Sequence, residues 1–199
     1  MVALHLSVNV KGKDSMSMFR GFIAVDIIPT DDIIKFLNEI NSLNADIKIV
    51  EPKNIHITLK FLGDTPEEEI EQIEEIIKNS VKGIDPFNIM LEGTGVFPNK
   101  GYIRVVWIGL KGLQYLVDIA KNVDEKIASL GFKKEKRDFS AHLTIGRVKS
   151  SKNKDVLLKK IEEYTDFNFG IQEVKSIKLK KSVLTPKGPI YTTLKEVVL

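Results

Sequence analysis

At 199 residues, with 43% hydrophobic and 29% charged side chains, the chain is long enough for one substantial core and too balanced for wholesale disorder or a membrane-embedded class. Its 30 Lys and Arg against 27 Asp and Glu leave a formal charge of +3, which permits an anionic partner but is too mild to identify one. The lack of cysteine excludes a disulfide framework, a thiolate metal site and a thiol nucleophile, and it fits a reducing cytoplasm.

Residues 1–17 (MVALHLSVNVKGKDSMS) carry a short apolar alternation and then a polar stretch, without the basic head, apolar run and cleavage site of an export signal. They read as an upstream extension or an appended segment, and the length of the rest, residues 18–199, fits one compact domain or two small, closely joined lobes. No apolar run is long enough to span a bilayer, so a cytoplasmic protein is expected. Residues 22–28 read as a strand, after which Thr30 caps a helix whose inner stripe is Ile33, Ile34, Leu37, Ile40 and Leu43. IHITLKFL, residues 55–62, is a second strand. Thr65, Pro66 and Glu68 then fit the N-cap, N1 and N3 positions of a helix with Ile70, Ile73, Ile76 and Ile77 inward. The acidic run 67–75 on that helix reads as a solvent-facing surface with a favourable N-terminal charge.

Residues 87–96 and 102–110 read as two strands joined by the turn PNKG. Leu113, Leu116, Val117, Ala120, Val123, Ile127 and Leu130 form a helical stripe that stops at Gly131, a residue suited to a left-handed helix end. AHLTIGRV, residues 141–148, is another strand, followed by a helix around 155–164 and closing strands 174–184 and 190–198 joined through TPKGP. An α+β fold of antiparallel strands covered by helices is the economical architecture.

The most informative feature is a weak duplication: His56-Ile57-Thr58-Leu59 in the first half is matched by His142-Leu143-Thr144-Ile145 in the second. Side chains alternate across a strand, so His and Thr two apart share one face while the apolar residues between them enter the core. Of the three histidines only His5 lies outside these tetrapeptides. One His-x-Thr is a weak signal, because a strand histidine is more often structural. Two copies, one in each half, point to chemistry. A phosphodiester reaction needs one proton removed from the attacking oxygen and another delivered to the departing one, and imidazoles with an ordinary pKa of about 6.5 can do both near neutral pH. The two threonine hydroxyls would hold non-bridging oxygens as charge develops there. No metal is demanded, and a zinc site would lack its usual third protein ligand.

HITL and HLTI, within NIHITLKFLG and AHLTIGRVK, together with the intervening GVFPN and the late SVLTPKGPIY, resemble the archaeal and bacterial RNA 2′,3′-cyclic phosphodiesterases. These proteins, also called 2′-5′ RNA ligases, belong to the 2H phosphoesterase superfamily, and the resemblance runs from about Met18 to the C-terminus. It implies a bilobed, duplicated α+β fold with antiparallel sheets, outer helices and both motifs lining a central cleft. It also implies hydrolysis of an RNA 2′,3′-cyclic phosphate to a 2′-phosphomonoester without a cofactor, with ligation to a 5′-hydroxyl end as a secondary activity of the same site. On that resemblance His56 is the proton donor to the leaving 3′ oxygen, His142 the base that activates water, and Thr58 and Thr144 the phosphate holders.

Lys60 shares the face of His56 and Thr58 if the strand continues regularly, which would place a cation by the phosphate. A solvated lysine is an equal reading. Arg147 points away from the cleft by strict alternation, although a bulge at Gly146 would redirect it. The run KKEKR at 133–137 suits either backbone steering or a solvated loop. Phe97 and Tyr191 suit either base stacking or core packing. Two rival functions stand beside the RNA-end reading: a 2H phosphodiesterase acting on a small cyclic nucleotide or an ADP-ribose cyclic phosphate, and a noncatalytic module that only holds an RNA end. RNA is the expected partner, with no obligate protein partner.

Overall fold

The computed structural model describes residues 17–136, 139–186 and 188–199. His5 and almost all of the proposed N-terminal extension therefore lie outside the described residues, as does Arg137 at the end of the KKEKR run. In chain order the elements are β1 (Met18–Asp26), α1 (Asp31–Ser42), β2 (Ile47–Ile49), β3 (His56–Pro66), α2 (Ile70–Val81), β4 (Phe87–Asn99), β5 (Tyr102–Lys111), α3 (Gln114–Ile127), β6 (Leu143–Val148), α4 (Lys154–Glu163), β7 (Asn168–Val174), β8 (Ser176–Thr185) and β9 (Gly188–Val198).

Two antiparallel sheets result: a four-stranded one in the order β3-β1-β8-β9 and a five-stranded one in the order β2-β6-β5-β4-β7. Helices α2 and α3 pack on the four-stranded sheet, and α1 and α4 on the five-stranded one. The α+β class, the antiparallel pairing and the covering helices agree with the sequence pattern. Each sheet draws on both halves of the chain. The first half supplies β1 and β3 to one sheet and the end of the chain adds β8 and β9; the other sheet inserts β6 between β2 and β5. One continuous apolar core joins them, running from Ile57 and Val25 beneath the first motif to Leu143 and Ile145 beneath the second.

Local signals explain most boundaries. The Thr30 hydroxyl accepts from the Ile33 amide at the start of α1, a cap that satisfies an otherwise orphaned donor. The stretch after α3 ends at Gly131 with φ +87°, the left-handed conformation expected there. Three expectations change. Thr65 is not a helix cap: it is a buried strand residue whose hydroxyl donates to the Gly63 carbonyl, and α2 starts only at Ile70 after a single 3₁₀ turn, Glu67–Glu69. The short strand β2 and the strand β7 lack a legible signal of their own. His142 sits one residue ahead of β6 rather than on it.

Candidate active site

His56 opens β3 and His142 immediately precedes β6, and these two strands come together where the sheets meet. Both histidines and both threonines, Thr58 and Thr144, line one cavity of about 750 Å³. That size suits a nucleotide-scale ligand. The apolar partners Ile57, Leu143 and Ile145 are fully buried and Leu59 nearly so, so hydrophobic burial below each strand fixes which face carries the polar pair.

The backbone holds the two rings alike. His56 Nδ1 lies 2.7 Å from the Asn54 carbonyl oxygen, and His142 Nδ1 lies 2.8 Å from that of Ser140. A carbonyl only accepts, so Nδ1–H must donate in both cases. Each ring is thereby left with Nε2 for exchange: a lone pair when neutral, an N–H when protonated. Aromatic neighbours fix the ring planes. Tyr191 meets His56 edge-on with centroids 5.2 Å apart, and Phe22 sits 5.1 Å away. Phe97 meets His142 edge-on at 5.0 Å and is backed by Trp107 at 5.3 Å. Gly95 makes that backing possible, because a Cβ there would lie 2.2 Å from Trp107 Cζ2. Phe97 and Tyr191 thus brace the histidines.

Burial holds the His56 imidazole below its ordinary pKa, against the raising effect of the Asn54 carbonyl; nearby Lys180 lowers it further and Asp26 raises it. Asp26 pairs with His56 across β1 and β3 and is bonded by both Lys180 and Lys178, the latter at 3.1 Å. Its own pKa is lowered: although burial acts the other way, the hydrogen bonds and charges of the two lysines prevail. This charged cluster beneath the first histidine had no sequence signature, since Asp26, Lys178 and Lys180 are brought together only by the pairing of β1 with β8.

Two irregularities decide the secondary candidates. In β3 the register against β1 jumps from Lys60 to Thr58, leaving Leu59 as an extra residue. Lys60 consequently turns under the strand. It contributes to the cavity wall, but its ammonium donates to Asp124 at 2.6 Å, to the Lys133 carbonyl at 2.6 Å and to Glu135 at 3.3 Å. In β6 the register against β5 jumps from Gly146 to Thr144, leaving Ile145 extra. The bulge thus falls one residue before Gly146, and Arg147 is exposed and lines the cavity. Lys133 and Glu135 of the KKEKR run serve as acceptors for Lys60. Arg20 and Lys48 also line the cavity.

The chain matches the family described as LigT like Phosphoesterase twice, over residues 26–107 and again over 110–191. It is 48% identical over 179 residues to an RNA 2′,3′-cyclic phosphodiesterase of Methanocaldococcus jannaschii, covering 89% of this chain and 99% of that one. It is 41% identical over 177 residues to the protein of that name from Methanothermobacter thermautotrophicus, covering 88% and 96%. A crystal structure from Thermus thermophilus matches with a TM-score of 0.73 at 27% identity, over 90% of this chain and 97% of that one. The structure of E. coli LigT complexed with 3′-AMP shares the fold, with a TM-score of 0.67 at 22% identity over 92% and 99%. Each of the two family matches contains one His-x-Thr pair, and the chain belongs to the LigT-like phosphoesterase family.

Proposed function

We propose that this protein hydrolyses RNA ends bearing a 2′,3′-cyclic phosphate to 2′-phosphomonoesters. The observation that carries the reading is the pair of equivalently tethered imidazoles in one cavity, each with Nε2 left for proton exchange. His142 takes a proton from water as its oxygen bonds to phosphorus; the bond from phosphorus to O3′ breaks, and His56 delivers a proton to that oxygen. Thr58 and Thr144 donate to the non-bridging oxygens, and Arg147 offsets their charge. Burial disfavours the protonated His56 ring, so the donor role needs the negative charge of bound phosphodiester to hold the proton there. With an RNA 5′-hydroxyl in place of water, the same steps form a 2′-5′ linkage.

The names of the relatives support RNA as the substrate. RNA chemistry and a sequence without cysteine support a cytoplasmic location; among the described residues no helix is long and apolar enough to cross a membrane. Purified protein in excess chelator should convert an oligonucleotide 2′,3′-cyclic phosphate to a 2′-phosphate end, identified by product analysis. Tight RNA binding without turnover would instead mark a noncatalytic module, and turnover confined to small cyclic nucleotides would exclude the RNA end.

A further inference from the structure

The reaction leaves Arg20 without a task, although this residue stands in the cavity wall. On β1 it lies two residues from Phe22 and so on the same strand face, and Phe22 sits 5.1 Å from the His56 ring. Across the sheet Arg20 is level with Asp64 on β3 and with Ser182 on β8, and Ser182 is level with Tyr191 on β9. Arg20, Ser182 and Tyr191 all line the cavity. The four-stranded sheet therefore presents to it a polar row that ends on the ring bracing His56.

Two observations set this arginine apart from an ordinary surface cation. Asp64 is exposed and directly opposite, yet the two form no ion pair, and among the described residues Arg20 has no hydrogen-bond partner. Its charge also bears on the Tyr191 hydroxyl: burial pushes that phenol up, and the charges of Arg147 and Arg20 oppose the rise. A guanidinium from each sheet thus acts on one side chain that meets His56 edge-on. An exposed arginine on an open sheet would mean little. In the wall of a phosphate-binding cleft, a second unpartnered guanidinium is a second anion site, because arginine stays charged and its fork of donors fits two phosphate oxygens.

The chemistry identifies the anion. In-line displacement puts the attacking and leaving oxygens on opposite sides of phosphorus. The leaving O3′ belongs to the terminal ribose, so with His56 as proton donor that ribose, and the 5′ linkage it carries, lie on the His56 side. A cyclic mononucleotide with a free 5′-hydroxyl offers no anion there, whereas an RNA end offers a phosphodiester.

We propose that Arg20 is a second phosphate subsite, which holds the phosphodiester on the 5′ side of the terminal nucleoside and so makes the cleft select RNA ends over cyclic mononucleotides. The proposal rests on the phosphodiesterase reading above and adds a reason for its substrate class that the two histidine motifs do not contain.

The test compares two dinucleotides ending in a 2′,3′-cyclic phosphate. They differ only in the linkage between the nucleosides, a phosphodiester in one and an uncharged methylphosphonate in the other, and both carry a 2′-deoxy upstream sugar to keep that linkage stable. Wild-type protein should prefer the charged linkage by about ten- to a hundredfold in kcat/KM, carried mainly by KM. Arg20→Met should bring that ratio close to one, and Arg20→Lys, a point charge without the fork, should retain part of it. An Arg20→Met protein that melts normally and keeps the full preference would overturn the subsite, as would a wild-type protein indifferent to the charge of the linkage. If wild-type protein turns over neither dinucleotide, the phosphodiesterase reading itself fails.

Discussion

The approaches to the two motif histidines differ more than the histidines do. In one, β2 leads toward His56 but pairs with β6, the strand that follows His142, with Lys48 opposite Arg147. In the other, residues 133–135 lead toward His142 but are tied to Lys60 on the strand that follows His56. Each approach is therefore fastened to the opposite motif, once by a backbone ladder and once by a single ammonium whose side chain is 1% exposed. The lesson is that duplication has preserved the placement of the rings while the fastening has diverged, and a buried cation stands where the other half has a strand.

Breaking the equality of the rings should have the largest effect. His56→Ala and His142→Ala should each lower kcat by about 10²–10⁴-fold without unfolding the chain, and each should erase a different limb of a bell-shaped pH–rate profile. Full activity in both would reject the mechanism. Thr58→Val and Thr144→Val should cost about 10²–10³-fold in kcat if their hydroxyls contact the developing charge, read by single-turnover kinetics. Unequal losses would show which half carries more of that charge.

The fastenings can be compared next. Lys60→Met should destabilise the protein by about 3 kcal/mol in denaturant titration, because it strips Asp124 and the Lys133 carbonyl of a buried partner. A loss below about 1 kcal/mol would mean that the loop is held by other contacts.

The smallest effect sharpens the electrostatic difference. By NMR titration His56 should protonate below the ordinary histidine value of 6.5, inorganic phosphate should raise its titration point, and Asp26→Asn should lower it by leaving Lys180 unopposed. The sign for stability follows: the unfolded chain takes up this proton first, so stability present above the unfolded pKa is lost as pH falls through the folded one. Asp26, with its pKa also lowered, adds a loss of the same sign in the carboxylate range.

Much of the site was legible because it obeys local periodicity. The two tetrapeptides place His and Thr on one strand face, and the cap at Thr30 and the helix end at Gly131 follow directly from residue type. What stayed hidden depends on irregularity or on distant pairing. Strict alternation puts Lys60 beside Thr58, but the extra residue Leu59 turns it under the strand; the matching extra residue Ile145 turns Arg147 the opposite way from its expected direction. The cap pattern at Thr65 failed because β3 runs on through that residue, which pairs with Phe19 and spends its hydroxyl on Gly63. Asp26 gained its two lysine partners from β8, which a window of neighbouring residues does not reveal.

The exchange of strands between the halves has a mechanical consequence. Neither half of the polypeptide contains a whole sheet, since β1 and β3 need β8 and β9 while β2, among the described residues, pairs with β6 alone. A nick in the connection between β5 and α3 would leave two fragments that must clasp each other to rebuild the cleft, so their catalysis would fade on dilution. A lone repeat could assemble the same two-histidine cleft only by trading strands with a second copy of itself.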